Sequence, residues 1–258
     1  MPTPIDQIRD AAIRIAEEAS AVPMSYFRAT FAVDSKADES PVTIADRETE
    51  AFIRKALGET FPDHGILGEE YGISGSLDGE TWIVDPIDGT RSFITGYPLF
   101  GMLMGYLDGG DPKLGLVRMP ALNETFVGIP GRGATLNGKP IQTRKTTALG
   151  EASLYINEPD GIRRSHPALF EHLWTVGGAR RAAYDCYPHA LVAAGQIDIC
   201  VDFGLQPYDY LPLIGLIEAA GGVMTDWDGN RLDMNSEGHV IAAGTPELHA
   251  AMLPHLKR

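Results

Sequence analysis

The chain has 258 residues, 44% of them apolar, which is enough for one large domain or two small ones with real cores. Its 21 basic and 35 acidic residues give a formal net charge of -14, which argues against binding to nucleic acid or to an anionic membrane. Two cysteines, no signal-peptide pattern and no apolar run long enough to cross a bilayer predict a soluble cytoplasmic protein without a disulfide framework.

The first half of the chain predicts helices followed by an antiparallel meander. Apolar residues recur at helical spacing from Ile5 to Ala19. A second helix is predicted after Pro41-Val42-Thr43, with Asp46 in its first turn, where a negative charge suits the helix dipole. Strands are predicted at residues 65–68, 82–84, 99–107, 113–119 and 124–129. Turn signals follow the later strands, and Asn137-Gly138 is one of them.

The pattern changes near Thr146, after which strands and helices alternate. Strands are predicted at residues 153–156, 197–201, 223–225 and 240–243, and helices at residues 167–174, 184–194, 210–220 and from Thr245-Pro246 onward. Such alternation favours a layered α/β architecture. The predicted fold class is therefore α/β, with an α+β N-terminal subdomain over residues 1–146 and an α/β C-terminal subdomain over residues 147–258.

The most informative stretch runs from Trp82 to Thr90 and reads W-I-V-D-P-I-D-G-T. An apolar strand ends at two acids, Asp85 and Asp88, and the chain then turns through a glycine into a predicted helix. Pro86 restricts Asp85 to extended geometry, which helps to aim its side chain. Two carboxylates at a strand end, beside backbone N–H groups that can hold an anion, predict a site for a divalent metal and a phosphate.

Other acids lie in similar settings, and each has an ordinary explanation when taken alone. Glu69 could be a solvated loop acid, Asp88 part of a simple turn, and Asp46 a first-turn acid. Asp209, placed just before the predicted helix, could cap it. These explanations do not account for acids closing two successive apolar strands. Acids packed together repel one another unless a cation binds them.

These motifs resemble those of the inositol-monophosphatase-like superfamily over nearly the whole chain. The matching pieces are Gly68-Glu69-Glu70, the string from Trp82 to Thr90, Tyr208-Asp209-Tyr210 and Glu218-Ala219-Ala220-Gly221-Gly222. The D-P-x-D-G-T string combined with the distant aspartate and the G-G helix end is highly specific. The resemblance implies a Mg²⁺-dependent phosphomonoesterase with a layered αβαβα sandwich, acting on a small phosphate monoester as a homodimer.

The resemblance also implies roles for individual residues. The metal ligands would be the carboxylates of Glu69, Asp85, Asp88 and Asp209 and the carbonyl oxygen of Ile87. Asp46 and Thr90 would orient and help to deprotonate the attacking water, with Glu69 also counted as catalytic. The N–H groups of Gly89 and Thr90 would cradle the phosphate.

Within the superfamily, the chain is most similar to the histidinol-phosphatase branch. The features concerned are Ser92-Phe93 after D-G-T, Asp185-Cys186-Tyr187 and the stretch from Gln206 to Leu213. Histidinol phosphate presents an ammonium and an imidazole, so its pocket would need carboxylates and aromatic rings. Asp185 and Asp202 are the candidate substrate contacts. Their ordinary alternatives are a helix cap and a strand-end acid, respectively.

Competing hypotheses remain at two levels. The same chemistry on inositol 1-phosphate or a related sugar phosphate is the nearest alternative. A catalytically inactive metal or phosphate sensor on the same fold is an alternative of another class, although every proposed ligand and Thr90 are present. A non-enzymatic interaction module has little support. Cys186 is interpreted as a small buried residue, and the surface interpretation is preferred for the histidines His64, His166, His172 and His189.

Overall fold

The computed structural model describes residues 2–29, 33–35 and 41–257. Its helices are α1 (Ile5–Ala19), α2 (Ala21–Tyr26), α3 (Ile44–Thr60), α4 (Thr90–Ile94), α5 (Pro159–Ser165), α6 (Pro167–Leu173), α7 (Tyr187–Ala193), α8 (Pro207–Ala219) and α9 (Pro246–Leu256). Its strands are β1 (Val33–Ser35), β2 (Pro41–Thr43), β3 (Gly65–Gly68), β4 (Gly72–Ser74), β5 (Glu80–Asp88), β6 (Gly101–Asp108), β7 (Asp111–Met119), β8 (Glu124–Ile129), β9 (Gly133–Leu136), β10 (Lys139–Ile141), β11 (Ser153–Asn157), β12 (Ala179–Ala183), β13 (Ile199–Asp202), β14 (Val223–Asp226) and β15 (Val240–Ala243).

The two larger sheets alternate with three helical layers, and β1 and β2 form a separate two-stranded sheet. The 8-stranded sheet has the order β10-β9-β8-β7-β6-β5-β3-β4, and the 5-stranded sheet has the order β12-β11-β13-β15-β14. Helices α1 and α3 pack on one face of the large sheet through residues such as Ile15 and Ile53. Helices α7 and α8 share a core with both sheets. Helices α5, α6 and α9 cover the outer face of the small sheet. The predicted αβαβα layering is confirmed.

The predicted antiparallel meander is confirmed in β6, β7 and β8, which pair in chain order. The Asn137-Gly138 turn joins β9 to β10, and both residues have positive φ, 49° and 74°. Consecutive left-handed residues match the right-handed twist of a tight hairpin, which explains the asparagine and glycine there. In the small sheet, β11 pairs parallel to β12 and β13, as expected where helices connect the strands.

Several element boundaries differ from the prediction. Helix α7 begins at Tyr187 rather than residue 184, because Asp185 has φ of 62°, which interrupts helical geometry. Helix α8 begins at Pro207 rather than Tyr210, since proline suits the first helical position. Asp209 therefore lies inside the first turn and not before it. The sequence analysis missed α5, which contains a glycine, and the exposed strand β12.

Helix α8 is buried on nearly all sides because it lies between the two sheets, and its sequence is accordingly apolar all round. Its approach to the large sheet requires glycines. A Cβ added to Gly115 on β7 would overlap the carbonyl oxygen of Pro212, and one added to Gly215 would lie 2.7 Å from the Gly115 nitrogen. The position of α8, and with it Asp209, depends on this backbone contact.

The proposed subdomain boundary between residues 146 and 147 falls between β10 and β11. The division into residues 1–146 and 147–258 stays a prediction about independent folding. No helix in the described part of the chain has both the length and the apolar content that a membrane span requires.

Gly115→Ala is expected to lower the free energy of unfolding by about 1–3 kcal/mol and to reduce activity, because the added methyl displaces α8 from the sheet. Urea unfolding and an activity assay measure both effects. The control is Gly58→Ala in α3, where a Cβ meets nothing within 4 Å and the substitution should stabilise the helix slightly. Wild-type stability and activity in Gly115→Ala would contradict the account of this contact.

Candidate active site

Three carboxylates meet at the end of β5 and the beginning of α8. Ligand oxygens of Asp85, Asp88 and Asp209 all lie within 4.8 Å of one another. Asp85 is 2% exposed, and the other two are half-buried. The fold therefore brings together three of the acids that the sequence analysis selected, and their role as metal ligands stays a prediction.

A β-bulge explains how two acids three residues apart on one strand can face the same site. In a regular strand, residues three apart point to opposite faces of the sheet. Asp85 pairs with Leu103 of β6 and Asp88 pairs with Gly101, so β5 has one extra residue between the two pairs. The extra residue reverses the alternation. Pro86 is tolerated here because a bulge does not require its missing N–H.

Asp209 reaches the cluster from the first turn of α8. Its Oδ2 accepts a hydrogen bond of 2.7 Å from the backbone N–H of Gln206, and the two residues form a reciprocal capping box. The helix N-terminus favours a negative charge at this position. The ordinary role of a helix cap and membership of the acidic cluster are therefore combined in one residue.

Glu69 belongs to the same group electrostatically. Its backbone N–H donates to the carbonyl oxygen of Val84 at 3.1 Å, which extends the β3–β5 pairing by one residue. Its negative charge raises the pKa of Asp46, Asp85 and Asp209. The strand end of β3 thus adds a fourth carboxylate to the neighbourhood of the cluster.

Burial is the main cause of the raised pKa values in the cluster, and repulsion between the carboxylates adds to it. The pKa values of Asp85 and Asp88 lie well above their usual range, and that of Asp209 is raised to about 7. Among the described residues, no lysine or arginine forms a salt bridge with these three acids. An all-oxygen donor set of this charge fits a hard divalent cation such as Mg²⁺.

Asp46 and Thr90, predicted as a pair, are in contact. The Thr90 hydroxyl donates to Asp46 Oδ1 at 3.1 Å, which leaves the threonine oxygen able to accept a hydrogen bond from a water. Asp46 is fully buried, and burial raises its pKa. Thr43, which the sequence analysis did not select, donates to Asp46 Oδ2 through its hydroxyl at 2.5 Å and its N–H at 2.8 Å. The T-x-x-D capping-box spacing was the available signal.

Gly89 connects β5 to α4 with a left-handed backbone, φ 85°. A Cβ at this position would lie 2.6 Å from Cγ of Asp185, so only glycine permits the two segments to meet. The first N–H groups of a helix have no carbonyl partner within that helix. The role of Gly89 and Thr90 as a phosphate cradle stays a prediction.

Asp185 lies between this loop and a cavity of about 640 Å³. Its Oδ2 accepts a hydrogen bond of 2.5 Å from the Ser92 hydroxyl. The cavity is also lined by Glu158, which the sequence analysis missed, and by Tyr184. Burial raises the pKa of Asp185 to about 6 and that of Glu158 to about 7. Three acids, Glu158, Asp160 and Asp185, thus border the cavity beside the phosphate loop, together with Arg91 and Arg181.

Asp202, a candidate substrate contact in the sequence analysis, lies in the core behind the cavity wall. It is 1% exposed and is not among the described residues that line the cavity. Its Oδ2 accepts from His189 Nε2 at 2.8 Å and Asn157 Nδ2 at 2.6 Å, and its Oδ1 accepts from the Phe203 N–H at 2.8 Å. The expectation of a surface position for His189 is wrong. Its helix α7 packs into the core, and the imidazole is fully buried against Asp202.

Glu50 is a further residue that the sequence analysis missed. Its fully buried carboxylate accepts from the N–H groups of Glu70 and Tyr71 at 2.6 and 3.2 Å, and from Arg54 Nε at 2.7 Å. These bonds hold the chain directly after Glu69. The i,i+4 spacing of Glu50 and Arg54 on α3 was the only local signal.

Known proteins match the chain along its length. It is 37% identical to a histidinol-phosphatase of Chlorobaculum parvum, over 90% of each chain. It is 34% identical to an inositol-1-monophosphatase of Bacillus subtilis, over 96% of this chain and 94% of the relative. Its fold matches the structure of an inositol monophosphatase from Zymomonas mobilis with a TM-score of 0.89 and 35% identity, covering 100% of both chains.

The sequence model of the Inositol monophosphatase family matches residues 5–258. This range includes α3, which carries Asp46, and β5 and α8, which carry the three acids of the cluster. The fold, the bulged D-P-I-D-G-T strand end and the full-length relatives agree. The chain belongs to the inositol monophosphatase family and is a phosphoric monoester hydrolase.

Proposed function

We propose that this phosphatase hydrolyses L-histidinol phosphate to L-histidinol and phosphate, in histidine biosynthesis. The observation that supports the proposal most directly is the set of three carboxylates, Asp185, Glu158 and Asp160, that line the cavity beside the phosphate loop and outnumber its two arginines. The relative from Chlorobaculum parvum, whose name states this activity, supports it.

The proposed metal ligands are the carboxylates of Glu69, Asp85, Asp88 and Asp209 and the carbonyl oxygen of Ile87. The mutual proximity of three of these acids without a basic partner among the described residues supports a bound cation. The oxygen-only donor set favours Mg²⁺. When bound, such an ion supplies charge neutralisation for the phosphate, a lower pKa for water and stabilisation of the leaving alkoxide.

Asp46 and Thr90 are the proposed pair that orients the attacking water. Thr90 donates its hydroxyl hydrogen to Asp46, so its oxygen is left to accept a hydrogen bond from that water. The raised pKa of Asp46 suits a group that takes up a proton during the reaction. Glu69, whose charge acts on Asp46, is proposed to assist in the same step. The N–H groups of Gly89 and Thr90 are proposed to hold phosphate oxygens.

The leaving group is proposed to occupy the acid-bordered cavity. The ammonium and imidazole of histidinol can bind to carboxylates there, and the exposed ring of Tyr184 offers an aromatic face. Burial raises the pKa of Glu158 to about 7 and that of Asp185 to about 6, and the positive charge of Arg91 offsets part of this rise. A cationic leaving group would favour the charged form of both acids further. A neutral polyol such as inositol would gain no charge pairing from the same wall.

Hydrolysis of inositol 1-phosphate is the second candidate, and the Bacillus subtilis relative of that name supports it. The two candidates share the metal cluster and the water-orienting pair. They differ in what binds beyond the ester oxygen, which makes Glu158 and Asp185 the residues that discriminate between them.

The proposal includes a homodimer in the cytoplasm. Both cysteines are buried free thiols, which suits a reducing compartment. Strand β12 lies at the outer edge of the small sheet, four of its five residues are exposed, and it borders the leaving-group cavity through Arg181 and Ala182. Exposed strand edges of this kind are normally covered by another element or chain.

A substrate panel with Mg²⁺ tests the proposed function. The value of kcat/KM for histidinol phosphate should exceed that for inositol 1-phosphate by about tenfold or more, the effect of one charge-assisted hydrogen bond. Glu158→Gln should remove most of this preference, while Asp88→Asn should abolish both activities without unfolding the protein. Equal or better turnover of inositol 1-phosphate would reject the histidinol assignment. A wild-type protein inert towards all phosphomonoesters would favour the sensor alternative.

The stability of the metal-free protein should fall as pH rises from about 4 to about 7. Over this interval the folded state retains the proton on Asp209, whose pKa is raised to about 7, while the unfolded state has lost it, so ionisation disfavours the fold. Urea unfolding with a chelator, at pH 5 and pH 8, measures the difference. Added Mg²⁺ should restore stability at pH 8. Asp209→Asn should reduce the pH dependence, and the raised pKa values of Asp85 and Asp88 account for the part that remains. A chelated protein more stable at pH 8 than at pH 5 would contradict this account.

The dimer proposal predicts that the native protein sediments at equilibrium with twice the mass of one chain. Ala182 of β12 is exposed in the single chain and would be covered in the proposed dimer. Replacing it by Asp should shift the protein towards the monomer, because an added charge at a strand edge opposes pairing with another chain. A wild-type protein that sediments as a monomer at high concentration would refute the proposal.

A further inference from the structure

We propose that His189, Asp202 and Asn157 form a buried positioning network that holds the Asp185 turn between the leaving-group cavity and the carboxylate of Asp88. The inference rests on the proposed function only for the identity of the leaving group. The position of the turn relative to Asp88 applies to any phosphate ester.

The network is continuous through one shared oxygen. His189 Nε2 and Asn157 Nδ2 both bond Asp202 Oδ2, at 2.8 and 2.6 Å, and Asn157 Nδ2 also donates to the carbonyl oxygen of Asp185 at 2.9 Å. His189 is 0% exposed, while Asp202 and Asn157 are each 1% exposed. The chain of contacts therefore runs from α7 through β13 and β11 to the turn before α7.

The hydrogen-bond pattern identifies which imidazole nitrogen donates. His189 Nδ1 is buried and has no hydrogen-bond partner in the described ranges, whereas Nε2 faces the carboxylate. Donation from Nε2 satisfies Asp202, whereas a hydrogen on Nδ1 would be a buried N–H without a partner. Cys200 Sγ lies 3.7 Å from the same nitrogen and completes the packing around it.

The cluster of His189, Cys200 and Asp202 also has the residue types of a metal site. The geometry favours hydrogen bonding instead. The separation of 2.8 Å between the histidine nitrogen and the carboxylate oxygen is that of a direct hydrogen bond. Asn157 and the Phe203 N–H occupy the remaining directions around the Asp202 carboxylate.

The segment held by the network is a turn with an unfavourable backbone conformation at Asp185. Asp185 has φ of 62°, a left-handed conformation that is uncommon for a residue other than glycine. This conformation places the Asp185 carboxylate on the Ser92 hydroxyl at the cavity. It also directs the N–H of the next residue, Cys186, to the carboxylate of Asp88. One turn thus contacts the cavity and the acidic cluster at the same time.

A merely structural role for the network would predict lost stability without a specific kinetic effect. A positioning role predicts that breaking the network displaces both contacts of the turn. The KM for a substrate that uses Asp185 should then rise, and so should the Mg²⁺ concentration needed for half-maximal activity. A substrate whose leaving group carries no cation should be affected less.

The decisive comparison uses His189→Leu, which removes the donor, and His189→Gln, whose amide nitrogen can replace imidazole Nε2. Val192→Ala is the control, because it shortens another fully buried side chain of α7 outside the network. For each variant, kcat and KM are measured with histidinol phosphate and with p-nitrophenyl phosphate, together with the Mg²⁺ half-saturation concentration and the urea midpoint.

His189→Leu is expected to raise the KM for histidinol phosphate about tenfold, to affect p-nitrophenyl phosphate less and to raise the Mg²⁺ half-saturation concentration. His189→Gln should restore most of each parameter, and Val192→Ala should lower only the urea midpoint. Asn157→Leu breaks the network at a second point and should reproduce the kinetic pattern of His189→Leu, which keeps the test valid if the latter does not fold. The proposal would be overturned if a folded His189→Leu or Asn157→Leu variant had wild-type kinetics. It would also be overturned if Val192→Ala showed the same kinetic changes as these two variants.

The experiment separates this inference from the proposed function. A wild-type protein that does not hydrolyse histidinol phosphate would reject the substrate. The Mg²⁺ half-saturation concentration and the rates with p-nitrophenyl phosphate would still decide whether the network positions the turn.

Discussion

The site depends on repulsion between carboxylates that the fold forces together. Asp85, Asp88 and Asp209 have ligand oxygens within 4.8 Å of one another, and burial with like charge raises the pKa of each. Such an arrangement costs stability in a protein without a counter-charge. A bound divalent cation removes this cost, because its positive charge offsets the repulsion between the carboxylates and attracts each of them. The proposed phosphatase chemistry follows from that single constraint.

Several features of the fold hold these acids close together despite their mutual repulsion. The bulge in β5 turns Asp85 and Asp88 towards one site. The glycine contact between β7 and α8 sets the position of the helix whose first turn carries Asp209. Glu50 anchors the chain after Glu69 through two backbone N–H groups. Asp85 and Asp88 lie on a strand and Asp209 lies on a helix, so this cluster of acids is positioned by regular secondary structure.

The features that could be predicted from the sequence are those that depend on residues close together in the chain. Apolar runs that stop at acids identified the ends of β3 and β5, and the Asn137-Gly138 pair identified a hairpin. Contacts between distant segments were not predictable in the same way. His189 and Asp202 are paired only because α7 packs over β13, and Glu158 enters the cavity from a left-handed position, φ 44°. Strand β12 reads A-R-R-A-A, which has neither alternation nor β-branched residues, and it is a strand because β11 pairs with it.

The most direct test of the central claim is a crystal structure of the protein grown with Mn²⁺, examined in an anomalous difference map. Mn²⁺ accepts the same oxygen ligands as Mg²⁺ and can be located by its anomalous scattering. The account predicts anomalous density enclosed by Glu69, Asp85, Asp88 and Asp209. Absence of density there, with the four carboxylates dispersed or neutralised by basic side chains, would contradict it.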